Sequence, residues 1–258
     1  MIYSTDCATT LCFLAVKEIA MNMGLHATFM AKPFAGGASN GGHTNHSLWA
    51  TDSSGVRRNA FRDADSEDGL SQTAKYWIGG LLKHLPALQA LGSPTLSCYN
   101  RVADWSWAPT SANWGFENRT VAVRAKVGGE SGTYFEWRAP SASANPYLVL
   151  AGIVAAGLDG IKNEFLPEDD AYCTGDGYAT PAKVKVPTSL PAALDAFDAD
   201  AALKEALGEQ FSTWYLKVKR AECAEFPDEA VPEGDEAAAA ERKATIDALC
   251  KKLYQPLI

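Results

Sequence analysis

The sequence predicts an α+β fold. Apolar residues recur at helical spacing in segments spread along the chain, short extended segments face each other across glycine-rich turns, and no repeat of fixed period replaces either pattern. Taken in order, Cys12, Ala15, Val16, Ile19 and Met23 share one helical face and Gly24 follows as a stop, which predicts an amphipathic first helix. Residues 27–30 are short and apolar, a glycine-rich loop runs from Gly36 to Gly42, and residues 43–49 read as an extended segment returning beside the first. Residues 70–91 carry Ala74, Ile78, Leu81 and Leu82 at helical spacing and stop at a Gly92-Ser93-Pro94 turn.

Within residues 119–138, two strands are expected around the turn Gly128-Gly129-Glu130-Ser131-Gly132. Side chains alternate along a strand, so Tyr134, Glu136 and Arg138 share a face expected to be wet and charged, while Phe135 and Trp137 share the face that packs. Residues 147–158 are apolar almost all round, with Asn145 placed to cap, Pro146 in the first turn and Gly160 at the end; this predicts a helix buried on every side. A proline-punctuated stretch from Pro167 to Pro191 precedes a long helix expected over 199–226 from Leu203, Leu207, Trp214 and Val218. Residues 227–241 are acidic and alanine-rich and read as a solvated linker. Ile246, Leu249, Cys250 and Leu253 predict a short closing helix. The expected organisation is a main domain over 1–226, a linker over 227–241 and a helix over 242–258.

With 258 residues, 47% hydrophobic and 21% charged, the chain can bury one large core. A net charge of −8 without clustered Lys and Arg argues against nucleic acid as a partner. The six cysteines lie far apart with no Cys-x-x-Cys pair, which fits reduced thiols in a cytoplasmic protein. No basic leader with an apolar core is seen, and the longest apolar run falls short of the roughly 20 residues a spanning helix needs, so no membrane role is expected.

The chemistry concentrates in Lys32-Pro33, the glycine loop, His43, Ser47-Leu48-Trp49, Gly79-Gly80-Leu81-Leu82-Lys83-His84, Ser93-Pro94-Thr95, Tyr99-Asn100-Arg101, Ala108-Pro109, Asn118-Arg119 and Asn145-Pro146-Tyr147. In that order these motifs resemble the glutamine synthetase family over about residues 5–163, and more weakly to about 226. The resemblance implies a catalytic domain with a curved antiparallel sheet around a cavity and helices packed outside. It implies a ligase of nitrogen metabolism in which ATP phosphorylates the glutamate side-chain carboxylate and ammonia displaces phosphate, with Mg²⁺ or Mn²⁺ clamping the transferring group.

Carried over position by position, His43 and Glu136 match metal ligands; Arg101 and Arg138 match glutamate-contacting arginines, with Gly41 on the substrate side. Arg119 and Arg124 match arginines near the nucleotide phosphates, and Ser47 a polar residue beside the nucleotide. Arg119 and Arg138 are the candidates for catalytic charge stabilisation. Strand parity favours Arg138 over Arg124, because Arg119 and Arg124 can both face the cavity only if Arg119 precedes the regular strand. His26, His46 and His84 read as structural.

The pattern also departs from the family. Trp107 stands where the family's loop carries a Glu before Ala-Pro, Asn45 replaces a second His, and Tyr134 replaces an Arg two residues before Glu136. The family's further metal-binding glutamates precede the position matched by Met1, which leads us to expect an N-terminally truncated, incomplete site. Gly115-Phe116-Glu117-Asn118-Arg119-Thr120 and Leu158-Asp159-Gly160-Ile161 resemble the lengsin-like branch of the class I enzymes, and lengsin itself is regarded as non-catalytic. The alternatives are therefore an inactive or incomplete glutamine synthetase-like domain, a lengsin-like structural protein, and a ligase joining glutamate to another amine. A homo-oligomer is compatible with each.

Overall fold

The computed structural model describes residues 6–34 and 37–226, together with 241, 244, 245, 248, 249 and 252. In chain order its elements are helix α1 (Asp6–Asn22); strands β1 (Thr44–His46), β2 (Trp49–Thr51) and β3 (Arg57–Asn59); helices α2 (Gln72–Lys83) and α3 (Leu85–Gly92); strands β4 (Trp114–Phe116) and β5 (Val123–Lys126); the single turn α4 (Gly129–Gly132); strand β6 (Tyr134–Trp137); and helices α5 (Pro146–Lys162), α6 (Leu190–Ala199), α7 (Ala201–Leu207) and α8 (Glu209–Ala224). The main sheet runs β1-β6-β5-β4, antiparallel except where β4 lies parallel to β5, and β2 and β3 form a separate hairpin. Helix α2 packs on β5 of the main sheet, and α5 packs on α2. Among the described residues, no helix is long and apolar enough to cross a membrane.

Packing begins at the sheet. Phe135 projects from β6 and stacks on Phe61 at 4.5 Å between ring centroids, with Trp77 of α2 and His46 of β1 around them. His46 is half-buried and accepts a hydrogen bond from Trp77 Nε1 at 3.0 Å, so its role is structural, as expected. Against this layer α2 and α5 cross through glycine. A Cβ on Gly160 would stand 2.2 Å from the Tyr76 carbonyl oxygen and 2.7 Å from Gly80 Cα, and one on Gly157 would enter the Trp77 ring. Gly160 therefore permits a close helix crossing; α5 runs on to Lys162, so Gly160 is not the stop the sequence suggested. Asn145 does cap α5, its side chain accepting from the backbone N–H groups of Tyr147 and Leu148.

Several expectations give way to tertiary context. Residues 27–30 form no strand: the Met30 and Ala31 carbonyls are taken by Asn40, and β1 pairs with β6. The extended run 43–49 breaks into β1 and the start of a hairpin whose turn is built by Asp52, with Oδ1 accepting from the N–H groups of Ser54 and Val56. Helix 70–91 divides at His84 because Pro86 has no N–H to offer the preceding turn. The helix expected over 199–226 divides at Gly208, whose φ of +93° no other residue type adopts readily. Ser189 caps α6, an element that the prolines had obscured.

The helices are also more exposed than their composition suggested. Tyr147 and Leu158 face solvent on α5, as do Trp214 and Val218 on α8, where Ser212 and Leu216 point inward instead. On α1, Leu11, Leu14, Val16 and Ile19 are all exposed. Most of the linker and closing helix lie outside the described residues; the described positions from 241 to 252 are helical.

Candidate active site

Sheet register sets the site. Asn45 on β1, Glu136 on β6 and Arg124 on β5 lie in one cross-strand row, so their side chains leave the same face of the sheet. Two residues along, Arg138 shares that face by alternation and Lys126 pairs with Tyr134. The charged face foreseen for Tyr134, Glu136 and Arg138 exists, but it is not wet: Glu136 is 9% and Arg138 4% exposed. Charges can be buried there because they satisfy one another.

Glu136 is the hub. Its Oε1 accepts from His43 Nδ1 and from Arg138 Nη1, each at 2.9 Å, and its Oε2 accepts from Arg124 Nη1 at 3.0 Å. Burial alone would raise its pKa, yet Arg138, Arg124 and His43 together hold it below the usual carboxylate range. Glu136 is thus an anion that can only accept, so His43 Nδ1 carries the hydrogen and Nε2 keeps its lone pair. Burial, reinforced by Arg138 and Arg101 and opposed by Glu136, pushes the His43 pKa down to about 4. The ring is neutral at physiological pH, the state a metal ligand needs.

Arg101, 3% exposed, donates from Nη1 to the Ala139 carbonyl at 2.8 Å and from Nη2 to the Arg138 carbonyl at 3.0 Å. Burial lowers its pKa to about 10, which leaves it charged. Gly41 closes this corner: a Cβ there would lie 2.8 Å from Arg101 Nη2 and 3.1 Å from His43 Nε2. The glycine loop can approach both groups only because position 41 has no side chain.

The segment around Trp107 lies beside Arg138. The Trp107 carbonyl accepts from Arg138 Nη2 at 3.4 Å, the Trp105 ring lies 5.4 Å from that of Tyr178, and Tyr178 donates to the Ala108 carbonyl at 3.0 Å. Trp105 and Trp107 both hold φ near +64° with their rings exposed. A left-handed aromatic residue is uncommon and costs on the order of 1–2 kcal/mol, offset here by the hydrogen bonds around it.

The structure therefore joins His43, Glu136, Arg138, Arg124, Arg101 and Gly41. Arg124, ranked below Arg138 on parity, belongs to the cluster through its direct register with Glu136. Arg119 precedes β5 on an exposed bend, and Ser47 is exposed with its Oγ accepting from Trp49 Nε1 at 2.9 Å; neither is drawn into the cluster. Sequence reading missed Lys126 and Glu117. The first was within reach, since Lys126 lies two residues from Arg124. Glu117 reaches the site through the parallel β4–β5 pairing, which has no local signature.

A metal test gives a partial fit. Among the described residues, no group of three or more His, Cys, Asp or Glu side chains could hold a metal ion. His43 and Glu136 still offer a free imidazole lone pair and about one unfilled carboxylate position of roughly four, a donor set suited to an ion that takes its other ligands from phosphate and water. Two buried donors, the Nε atoms of Arg124 and Arg138, have no hydrogen-bond partner among the described residues. They mark the same face as a place for added acceptors.

Comparison with known proteins adds the following. Residues 2–236 match the family model described as "Glutamine synthetase, catalytic domain". The glutamine synthetase of Rhizobium leguminosarum bv. phaseoli is 41% identical over 215 residues, covering 80% of this chain and 48% of the relative. That of Pyrococcus abyssi is 40% identical over 212 residues, covering 80% and 46%. A solved structure entitled GmaS/ADP complex superposes with a TM-score of 0.77 at 35% identity, covering 94% of this chain and 54% of its own. The chain spans about half the length of the curated relatives it matches.

Proposed function

Because this chain belongs to the glutamine synthetase catalytic-domain family, we propose that its arginine-ringed carboxylate is one wall of an ATP-dependent ligase site that joins glutamate to ammonia or another amine. The observation that carries the reading is the excess of enclosed positive charge. Arg124 and Arg138 both donate to a single buried carboxylate, Glu136, and Arg101 lies alongside, bonded to the Arg138 and Ala139 carbonyls, in a chain whose net charge is −8. Such a concentration of guanidinium groups with unmet N–H donors suits anionic substrates, here a carboxylate and phosphates.

In this reading Arg138 and Arg101 bind the glutamate carboxylates beside the backbone of Gly41, and Arg124 offsets charge on the phosphoryl oxygens. Arg119 and Ser47, on the rim, serve the outer parts of the nucleotide. The glutamate side-chain carboxylate attacks the terminal phosphorus and ADP leaves; the amine then attacks the acyl phosphate and inorganic phosphate departs. His43 and Glu136 would hold a divalent cation, Mg²⁺ or Mn²⁺, whose contribution is to neutralise phosphate charge. Arg101 and Arg138 lose no freedom on binding substrate, because their side chains are already fixed; preorganised charge of this kind is the largest single source of rate enhancement in many enzymes. The nearby GmaS structure is entitled as an ADP complex, which supports a nucleotide beside this fold.

Trp107 favours a second reading within the same chemistry. Indole cannot take a proton, so an amine that arrives neutral, or brings an apolar substituent to lie against Trp105 and Trp107, suits the loop better than ammonium. A lengsin-like, non-catalytic or incomplete domain is the alternative. The proposed catalytic unit spans 1–226, with 227–241 as linker and 242–258 as helix, although the family match itself reaches 236. Calorimetry with ATP and Mg²⁺ or Mn²⁺ tests the reading on the full chain and on Glu136→Ala. Metal-dependent binding lost in the variant is the expected result; absence of binding in both would overturn the ligase reading in favour of a structural role.

A further inference from the structure

Arg124 is held from two sides. Its Nη1 donates to Glu136, while Nη2 donates to Oε2 of Glu117, a residue with no part in the mechanism above. The other oxygen of Glu117, Oε1, accepts from Lys126 Nζ at 3.1 Å, and the same ammonium lies 5.8 Å from the Tyr134 ring centroid. The side chain of Glu117 is 55% exposed, against 14% for Arg124 and 28% for Lys126, so the carboxylate covers the outer side of both cations. Glu117 reaches this position at the end of β4 with φ of +49°, its N–H donating to the Ala125 carbonyl at 3.1 Å. A left-handed glutamate is strained, and an ordinary surface ion pair gives no reason to hold one.

We infer that Glu117 is a built-in stand-in for phosphate: it occupies the Arg124–Lys126 cation pair and must be displaced by a polyphosphate before the nucleotide can settle. The inference rests on the ligase reading for the identity of the incoming anion. Two carboxylate oxygens bridging a guanidinium and an ammonium reproduce the acceptor pattern of a phosphate edge. An anion taking Arg124 Nη2 and Lys126 Nζ would lie against Glu117 at like charge, so both cannot stay. Glu117 would thereby weaken nucleotide binding and exclude lesser anions, such as chloride or a lone carboxylate, that cannot replace both contacts together.

The test is calorimetry on the full chain with two probes, inorganic tripolyphosphate and ADP with Mg²⁺, comparing wild type, Glu117→Gln, Glu117→Gly and Glu136→Ala. Glu117→Gln should bind tripolyphosphate about tenfold more tightly, the order expected when two partly exposed ion pairs stop competing. Glu117→Gly removes the charge and relieves the left-handed backbone, so it should bind as tightly and melt no lower than wild type. Affinities in both variants equal to or weaker than wild type overturn the proposal, as does absence of polyphosphate binding in every variant. Metal-dependent ADP binding that is lost in Glu136→Ala but indifferent to Glu117 would overturn the proposal and leave the ligase reading standing. Tripolyphosphate tightening without any ADP binding would do the reverse.

Discussion

Replacing His84 with leucine should cost this protein more stability in acid than in base. His84 is 3% exposed and sits where α2 meets α3, its Nε2 2.9 Å from Asp159 Oδ2 of α5 and its Nδ1 2.6 Å from Asp200 Oδ2 at the α6–α7 junction. Both ring nitrogens can donate only if the ring is protonated. Burial opposes that charge, but the hydrogen bonds and charges of Asp200 and Asp159 outweigh it and raise the pKa above 6.5. A raised folded-state pKa stabilises the fold fully below the unfolded value near 6.5, and that stabilisation is lost as the pH rises through the folded value.

Removing one partner of a buried charged group costs about 3–5 kcal/mol. Asp159 and Asp200 are partly hydrated, with side chains 21% and 14% exposed, so about 3 kcal/mol is the better expectation for His84→Leu in mild acid. Above the folded pKa the wild type loses one of the two donors, and the difference should shrink by on the order of 1–2 kcal/mol. Urea titrations of both proteins at about pH 5.5 and about pH 8.5 measure it. A destabilisation of the same size at both values would show that His84 acts by packing alone, and would refute the protonated bridge.

Three further outcomes follow from the same geometry. Gly160→Ala places a methyl group against the backbone of Tyr76 and Gly80, and should cost about 1–3 kcal/mol in denaturant titration, whereas alanine at Gly132, with nothing near its Cβ position, should be almost neutral. Asn59→Ala removes the amide that donates to the carbonyls of Glu130 and Thr133 at 2.9 and 2.6 Å; leaving those acceptors unmet should cost about 1–3 kcal/mol and loosen the β5–β6 turn, visible as faster amide exchange there. In any preparation that turns over glutamate, Trp107→Glu should raise the rate with ammonia by about 10²-fold, the lower end of what a placed general base gives, and no gain would argue that the proton acceptor lies elsewhere.

Local patterns in the sequence were readable wherever one element decided its own fate. The Asn145 cap, the sorting of β6 side chains onto two faces and the Gly128–Gly132 turn each depend on neighbours within a few residues and stand as expected, although the charged face of β6 is buried where the sequence suggested a wet one. The site was legible to the same extent: Glu136 and Arg138 are linked by strand parity, and His43, Arg101 and Gly41 by motif. What escaped depends on contacts distant in sequence. The pairing of β1 with β6, the crossing of α2 and α5 at Gly80 and Gly160, and the reach of Glu117 along a parallel strand are all settled by parts of the chain that carry no mark of one another. Exposure of the apolar faces of α1 and α8 was equally hidden, since periodicity reports that a stripe exists and not what covers it.

Arg101 carries a lesson for inheritance. Both of its terminal nitrogens are tied to carbonyls of the chain segment that follows β6, and replacing it would strand those acceptors in the interior. Selection for a foldable chain would keep this arginine in a lineage that had stopped making glutamine altogether, so its survival in a descendant says little about turnover. Lys126, part-exposed and anchored chiefly to a surface carboxylate, has no such duty to the fold. When a member of this lineage retires from catalysis, the outer cations should drift away first and the buried arginine last.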